Sequence, residues 1–164
     1  GSSDVALLDS LHTNEQSSCS RSMKVNRSVL VPYRPEQMFD VVNDVASYPS
    51  FLPGCLDAIV HEATSSRMRA TLTLRRAGIS VRLTTENTLS RPTRIVVALV
   101  EGPFKRLTGE WLFEPLGDDG CRVTLELDFA ASGITAFAVE SMFSRVADQM
   151  VDAFSVRAEQ RFPA

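Results

Sequence analysis

Few side chains in this 164-residue chain could carry out covalent or acid–base chemistry, and their spacing argues against it. A nucleophile needs a base within hydrogen-bond reach, and that base needs a partner to orient it. The two histidines, His12 and His61, have no Ser-His-Asp or Cys-His grouping near either. His61 stands beside Glu62 in a strand-like stretch, where a surface or edge histidine is the ordinary reading. Cys19, Cys55 and Cys121 are odd in number, scattered and without a CxxC pair. They read as reduced thiols of a cytoplasmic protein rather than a disulfide frame or zinc site. HExxH, P-loop and GxGxxG patterns are absent. No catalytic residue, metal site or cofactor is therefore expected.

Two other sets of residues could bind rather than react. Arg67, Arg69, Arg75 and Arg82 fall on the polar positions of two neighbouring alternating segments, with Arg76 at their turn and Lys105-Arg106 later. On one sheet face they would form a basic patch able to reach phosphate, since backbone phosphates supply most nucleic-acid affinity. A solvated outer face would look the same. The second set is a helical stripe, Val139, Met142, Phe143, Val146, Met150 and Phe154, within Ile134 to Phe162. Its spacing writes one wide apolar face on a long helix, which needs a broad partner.

The elements that must position these residues are legible from Lys24 onward. Lys24 to Val31 reads as a first strand, closed by Pro32-Tyr33-Arg34-Pro35. Pro35 suits the first position of a short helix to Asp44, with Met38, Phe39, Val41 and Val42 on one face. Tyr48 to Gly54 holds two prolines and a glycine, and permits at most one helical turn. Strands are expected at Leu56–Glu62, Arg67–Arg75, from Ile79 to a point before Arg91-Pro92, Arg94–Glu101, Leu107–Phe113 and Cys121–Phe129, joined by short turns such as Ala77-Gly78 and Asp118-Asp119-Gly120. The pattern predicts an α+β domain in which a curved antiparallel sheet of about seven strands grips one long C-terminal helix. Space left between them would be a cavity, unless the stripe is plain core.

Composition sets outer bounds. Ordinary apolar and charged fractions predict one domain with a real core, here residues 23–164. The net charge of −3 argues against a general nucleic-acid coat, and no DNA contact is expected. No apolar run approaches the roughly 20 residues that span a bilayer. Residues 1–22 have neither a basic n-region nor an h-region and are expected to be a disordered leader, with Gly1-Ser2 a cloning scar and Met23 a natural start.

Several separated motifs, in order, strengthen this outline: Val31-Pro32-Tyr33, Val42-Asn43-Asp44-Val45 with Ser47-Tyr48-Pro49, Phe51-Leu52-Pro53-Gly54-Cys55, Ala77-Gly78-Ile79-Ser80, Gly102-Pro103-Phe104-Lys105, and Trp111 with Phe113. Together they resemble the COQ10/RatA family, the coenzyme Q-binding, polyketide cyclase-like branch of the START superfamily, from Met23 to about Arg161. The resemblance implies a helix-grip (START/Bet v 1-like) fold with a hydrophobic tunnel. It also implies two non-catalytic roles that can coexist in one protein, the first being the leading expectation and the second its alternative. One is binding ubiquinone or a related polyisoprenoid as a lipid chaperone for respiration, with peripheral contact at the inner membrane. The other is a toxin's association with the large (50S) ribosomal subunit, which blocks subunit joining and translation initiation.

The first role needs a wall and a mouth. The expected wall is Trp111, Phe113, Leu125 and Leu127 on the sheet, with Val139, Phe143, Val146 and Met150 on the helix. Phe51, Leu52 and Phe104, framed by prolines and glycines, would be either the mouth or a cap over the core. The second role would fall to Arg67, Arg69, Arg75 and Arg82.

Overall fold

A computed structural model describes residues 22–163 of the chain. The leader expected at residues 1–22 thus lies, except for Ser22, outside the described residues.

Chain order is β1 (Met23–Val31), α1 (Pro35–Asn43), a 3₁₀ turn (Val45–Ser47), α2 (Tyr48–Phe51), β2 (Cys55–Ala63), β3 (Arg67–Arg76), β4 (Ile79–Ser90), β5 (Arg94–Glu101), β6 (Phe104–Leu116), β7 (Gly120–Ala131) and α3 (Ala136–Arg161). The strands form one antiparallel sheet in the order β1-β7-β6-β5-β4-β3-β2. Short hairpins alone build β2 to β7, and only β1 returns to pair with the last strand. This is the helix-grip arrangement the alternation predicts.

Local chemistry accounts for the boundaries. Pro35 opens α1 with no amide to satisfy, and the Arg34 backbone N–H donates to Gln37 Oε1 at 2.8 Å, which pins the first turn. Between β3 and β4 the two-residue turn places Ala77 at φ 52° and Gly78 at φ 81°. That left-handed pair matches the natural twist of a tight hairpin. The turn pairs Arg76 with Ile79, and every later partner follows from it. Strand β6 runs longer than its aromatic centre predicts, because its ends also pair with β7, from Phe104↔Ala131 across a register shift at Lys105 to Leu116↔Gly120.

Inward residues of the sheet face α3. The helix is tied from two strands: Arg27 on β1 bonds Asp148 at 2.9 Å and Asp152 at 3.1 Å, and Arg76 on β3 donates to Gln149 at 3.2 Å. Its buried face is Val139, Met142, Phe143, Val146, Val151 and Phe154, with the small Ala147 and Ala158 buried beside them. Glu140 is also buried on that face, and its carboxylate accepts the Ala131 N–H at 2.9 Å, joining the helix start to the end of β7. Among the described residues no helix is long and apolar enough to cross a membrane.

Candidate functional site

Under the middle of α3, sheet and helix do not close completely. They leave an apolar cavity of about 70 Å³. Trp111, Leu125 and Leu127 of the expected wall line it from below, and Phe143, Val146 and Met150 from above. Val45 and Tyr48 close one side. Tyr48 is buried and donates its hydroxyl to the Val42 carbonyl, and burial raises its pKa, so it remains a protonated donor.

The remaining expected residues sit elsewhere. Phe113 is buried under α1, its ring 5.5 Å from that of Phe39. Val139 is buried near the start of α3 and does not line the cavity. Of the three residues expected at a mouth, Leu52 and Phe104 are buried, while half-buried Phe51 packs on Phe154 and Tyr48. None of the three lines the cavity. The half-exposed inward residues are instead Leu72, Thr85, Asn87, Val97 and Met150, which mark the side where the helix covers the sheet least.

Two of these, Thr85 and Asn87, are polar groups in the cavity that sequence reading missed. Asn87 Oδ1 is fully buried and has no hydrogen-bond partner among the described residues. An unmet buried acceptor of this kind costs about 1–3 kcal/mol. The signal was available: positions 79, 81 and 83 of β4 are Ile, Val and Leu, and the same inward series continues into Thr85 and Asn87.

On the other side of the sheet, register brings the four arginines together. Arg67, Arg69 and Arg75 on β3 and Arg82 on β4 all point outward, as Thr73↔Arg82 and Arg69↔Glu86 pairings require. Between them Thr71 and Thr84 share a 2.6 Å hydrogen bond, and His61 Nε2 lies 2.7 Å from Thr71 Oγ1. His61 is thus part of the patch floor. Arg67 is held by Glu86 at 3.3 Å. Arg69, Arg75 and Arg82 make no ion pair among the described residues.

Among the described residues no three His, Cys, Asp or Glu side chains converge on a point. Cys55 and Cys121 are buried, and desolvation pushes both thiols up to about 11.

Residues 31–155 match the polyketide cyclase / dehydrase and lipid transport family over most of the chain. The chain belongs to that family. It is 43% identical over 142 residues to the ribosome association toxin RatA of Escherichia coli strain K12, spanning 86% of this chain and 90% of that protein. It is 28% identical over 137 residues to the mitochondrial coenzyme Q-binding protein COQ10 of Drosophila melanogaster, spanning 80% of this chain and 57% of that protein. Among solved structures, the Zhui aromatase/cyclase from Streptomyces sp. R1128 superposes with a TM-score of 0.78 at 20% identity, covering 88% of this chain and 98% of that one. That likeness shows the fold alone, and the fold is START/Bet v 1-like.

Proposed function

We propose that this protein is a non-catalytic binding protein that associates with the large ribosomal subunit through the outer arginine face of its sheet and so hinders subunit joining. The observation that carries the reading is the set Arg69, Arg75 and Arg82, outward and without ion pairs among the described residues, on one face of a chain whose net charge is −3. The arginines share this face with acids, since Glu62 and Glu86 both stand opposite Arg69, so a local cluster around Arg75 and Arg82 is suited to spaced phosphates rather than to general adhesion. The relatives named ribosome association toxin support it, being far more similar across the chain than the coenzyme Q-binding relative. The test is cosedimentation with purified large subunits at graded salt. Binding should weaken steeply as salt rises, and Arg69→Glu with Arg82→Glu should weaken it further. Absence of cosedimentation, or binding that ignores both salt and the double change, refutes the reading.

A second reading is favoured by the cavity. Its apolar wall and its one unmet amide oxygen suit an apolar ligand with a polar head, such as ubiquinone or another polyisoprenoid quinone. At about 70 Å³ it is smaller than the roughly 300–1,000 Å³ of typical ligand pockets, so a tailed ligand would enter only as α3 moves off the sheet. Lipid extraction of the purified protein, and titration with ubiquinone read by Trp111 fluorescence, test it. No co-purifying lipid and no response to ubiquinone would sink it.

A further inference from the structure

The motif Val31-Pro32-Tyr33 builds a feature that neither the arginine face nor the cavity uses. Its Tyr33 ring meets that of Phe162, just past the end of α3, with centroids 6.1 Å apart and planes tilted by 46°. Both rings are half-buried and stand in the wall of an open hollow of about 370 Å³, which shares no residue with the cavity under α3. Pro32, Arg34, Gln37, Asp119 and Pro163 complete it. That volume falls within the roughly 300–1,000 Å³ of small-molecule sites. The polar groups of the hollow differ in what the fold leaves them to do. Gln37 Oε1 accepts the Arg34 backbone N–H at 2.8 Å, so the amide NH2 is the half of that side chain left to donate. Asp119, in the β6–β7 turn, is exposed and without an ion pair among the described residues, and an ionised carboxylate only accepts. Arg34 is exposed and equally unpaired, while Arg161 lies over the Phe162 ring at 5.3 Å and reaches Asp44 only at 3.8 Å. Glu36 and Asp118 are close in sequence, so this is no general anion trap, and the rings must carry part of any recognition.

We propose that this hollow holds one unstacked nucleobase of single-stranded RNA against Tyr33 and Phe162, with guanine preferred and Arg34 meeting the adjoining phosphate. Aromatic faces, a few edge contacts and a nearby cation are what such a base requires. Guanine offers O6 to a donor and two adjacent N–H groups to a carboxylate, which matches the Gln37 amide and Asp119. Every other base gives the carboxylate a single donor group. The hollow stands at the end of the sheet where β6 turns into β7, whereas Arg75 and Arg82 flank the β3–β4 turn at the other end. The base is therefore a second contact, separate from the arginine face. This deepens the large-subunit reading and rests on it for the source of the RNA.

Fluorescence anisotropy with the labelled pentanucleotides UUGUU, UUAUU and UUUUU tests the site. UUGUU should bind roughly tenfold more tightly than UUUUU, and a duplex holding the same sequence should not compete. Tyr33→Ala or Phe162→Ala should each lower UUGUU affinity roughly tenfold. Asp119→Asn, in an exposed turn, should erase the preference for UUGUU over UUAUU and leave circular dichroism unchanged, which keeps the test open if a ring variant folds poorly. Equal affinity for the three oligonucleotides, or a preference that survives Asp119→Asn, overturns the proposal. GMP that binds as tightly as UUGUU would assign the hollow to a free nucleotide and overturn the RNA assignment; inorganic phosphate competing as well as GMP would overturn base recognition altogether. Cosedimentation with large subunits separates the two readings. A chain that cosediments, but ignores the oligonucleotides and the Tyr33→Ala change, refutes the base site and leaves the subunit reading standing. A chain that binds UUGUU through Tyr33 but never cosediments refutes the subunit reading and leaves the base site standing.

Discussion

Replacing Asn87 by Leu should make this protein more stable and less able to hold a polar-headed ligand. The two side chains are close in shape, so the change adds little volume to the wall. It removes an acceptor, Asn87 Oδ1, that is fully buried and unbonded among the described residues, with the apolar Met68 and Val97 opposite it in the ladder. Relief of such an unmet group is worth about 1–2 kcal/mol, at the lower end of the usual desolvation penalty because the rest of the side chain is only half-buried. For a domain of this length that corresponds to a rise of roughly 3–6 °C in Tm. Thermal and urea denaturation of the ligand-free protein measure it. The same variant, titrated with ubiquinone, should lose roughly tenfold in affinity as the head group loses the unmet amide oxygen and keeps only Thr85 on that wall. A variant that melts lower than wild type would refute the reasoning, since the amide would then be making a bond worth more than its burial costs. A more stable variant with unchanged ubiquinone affinity would show Asn87 to be a packing flaw without a role in the site.

Three further outcomes follow from the packing. A Cβ at Gly109 would lie 2.2 Å from the Glu126 carbonyl oxygen and 2.6 Å from Leu127 Cδ2, so Gly109→Ala should cost about 3 kcal/mol or more in urea denaturation and displace Leu127 from the cavity wall. Cys55 and Cys121, buried with thiols pushed up to about 11, should resist iodoacetamide at pH 8 until the chain unfolds, as peptide mass spectrometry would read; rapid labelling of the native protein would refute the packing around them. The hydrogen bond from Lys24 holds the Asp128 carboxyl below its ordinary value, so the contribution of the pair is present above about pH 4, the unfolded carboxylate value, and fades as pH falls through the lower folded one. Because both groups are largely exposed, Asp128→Asn should only slightly flatten the acid limb of the stability curve; a marked effect at neutral pH would contradict it.

What the sequence made legible is what local periodicity controls. The outward position of Arg67, Arg69, Arg75 and Arg82 could be read without a structure, because a period of two assigns faces and the tight Ala77-Gly78 turn fixes how β3 meets β4. The α1 face and the extent of α3 were legible for the same reason. Depth was not. Phe113 and Trp111 share an inward face two residues apart, yet one packs on Phe39 beneath α1 and the other borders the cavity, a difference set by which helix lies above each. Phe51, Leu52 and Phe104 carry loop-like sequence neighbours, but their seats against Tyr48, Phe154, Phe129 and Phe143 come from distant segments. The stripe of α3 shows the same limit, since burial passes from Val146 to Val151 while Met150 turns half-exposed over the cavity. A cavity is the mismatch between two surfaces, and neither surface alone encodes it. The exception is Asn87: a polar residue on an inward aliphatic series breaks the local rule, and such a break is where a cavity with a task can be sought from sequence.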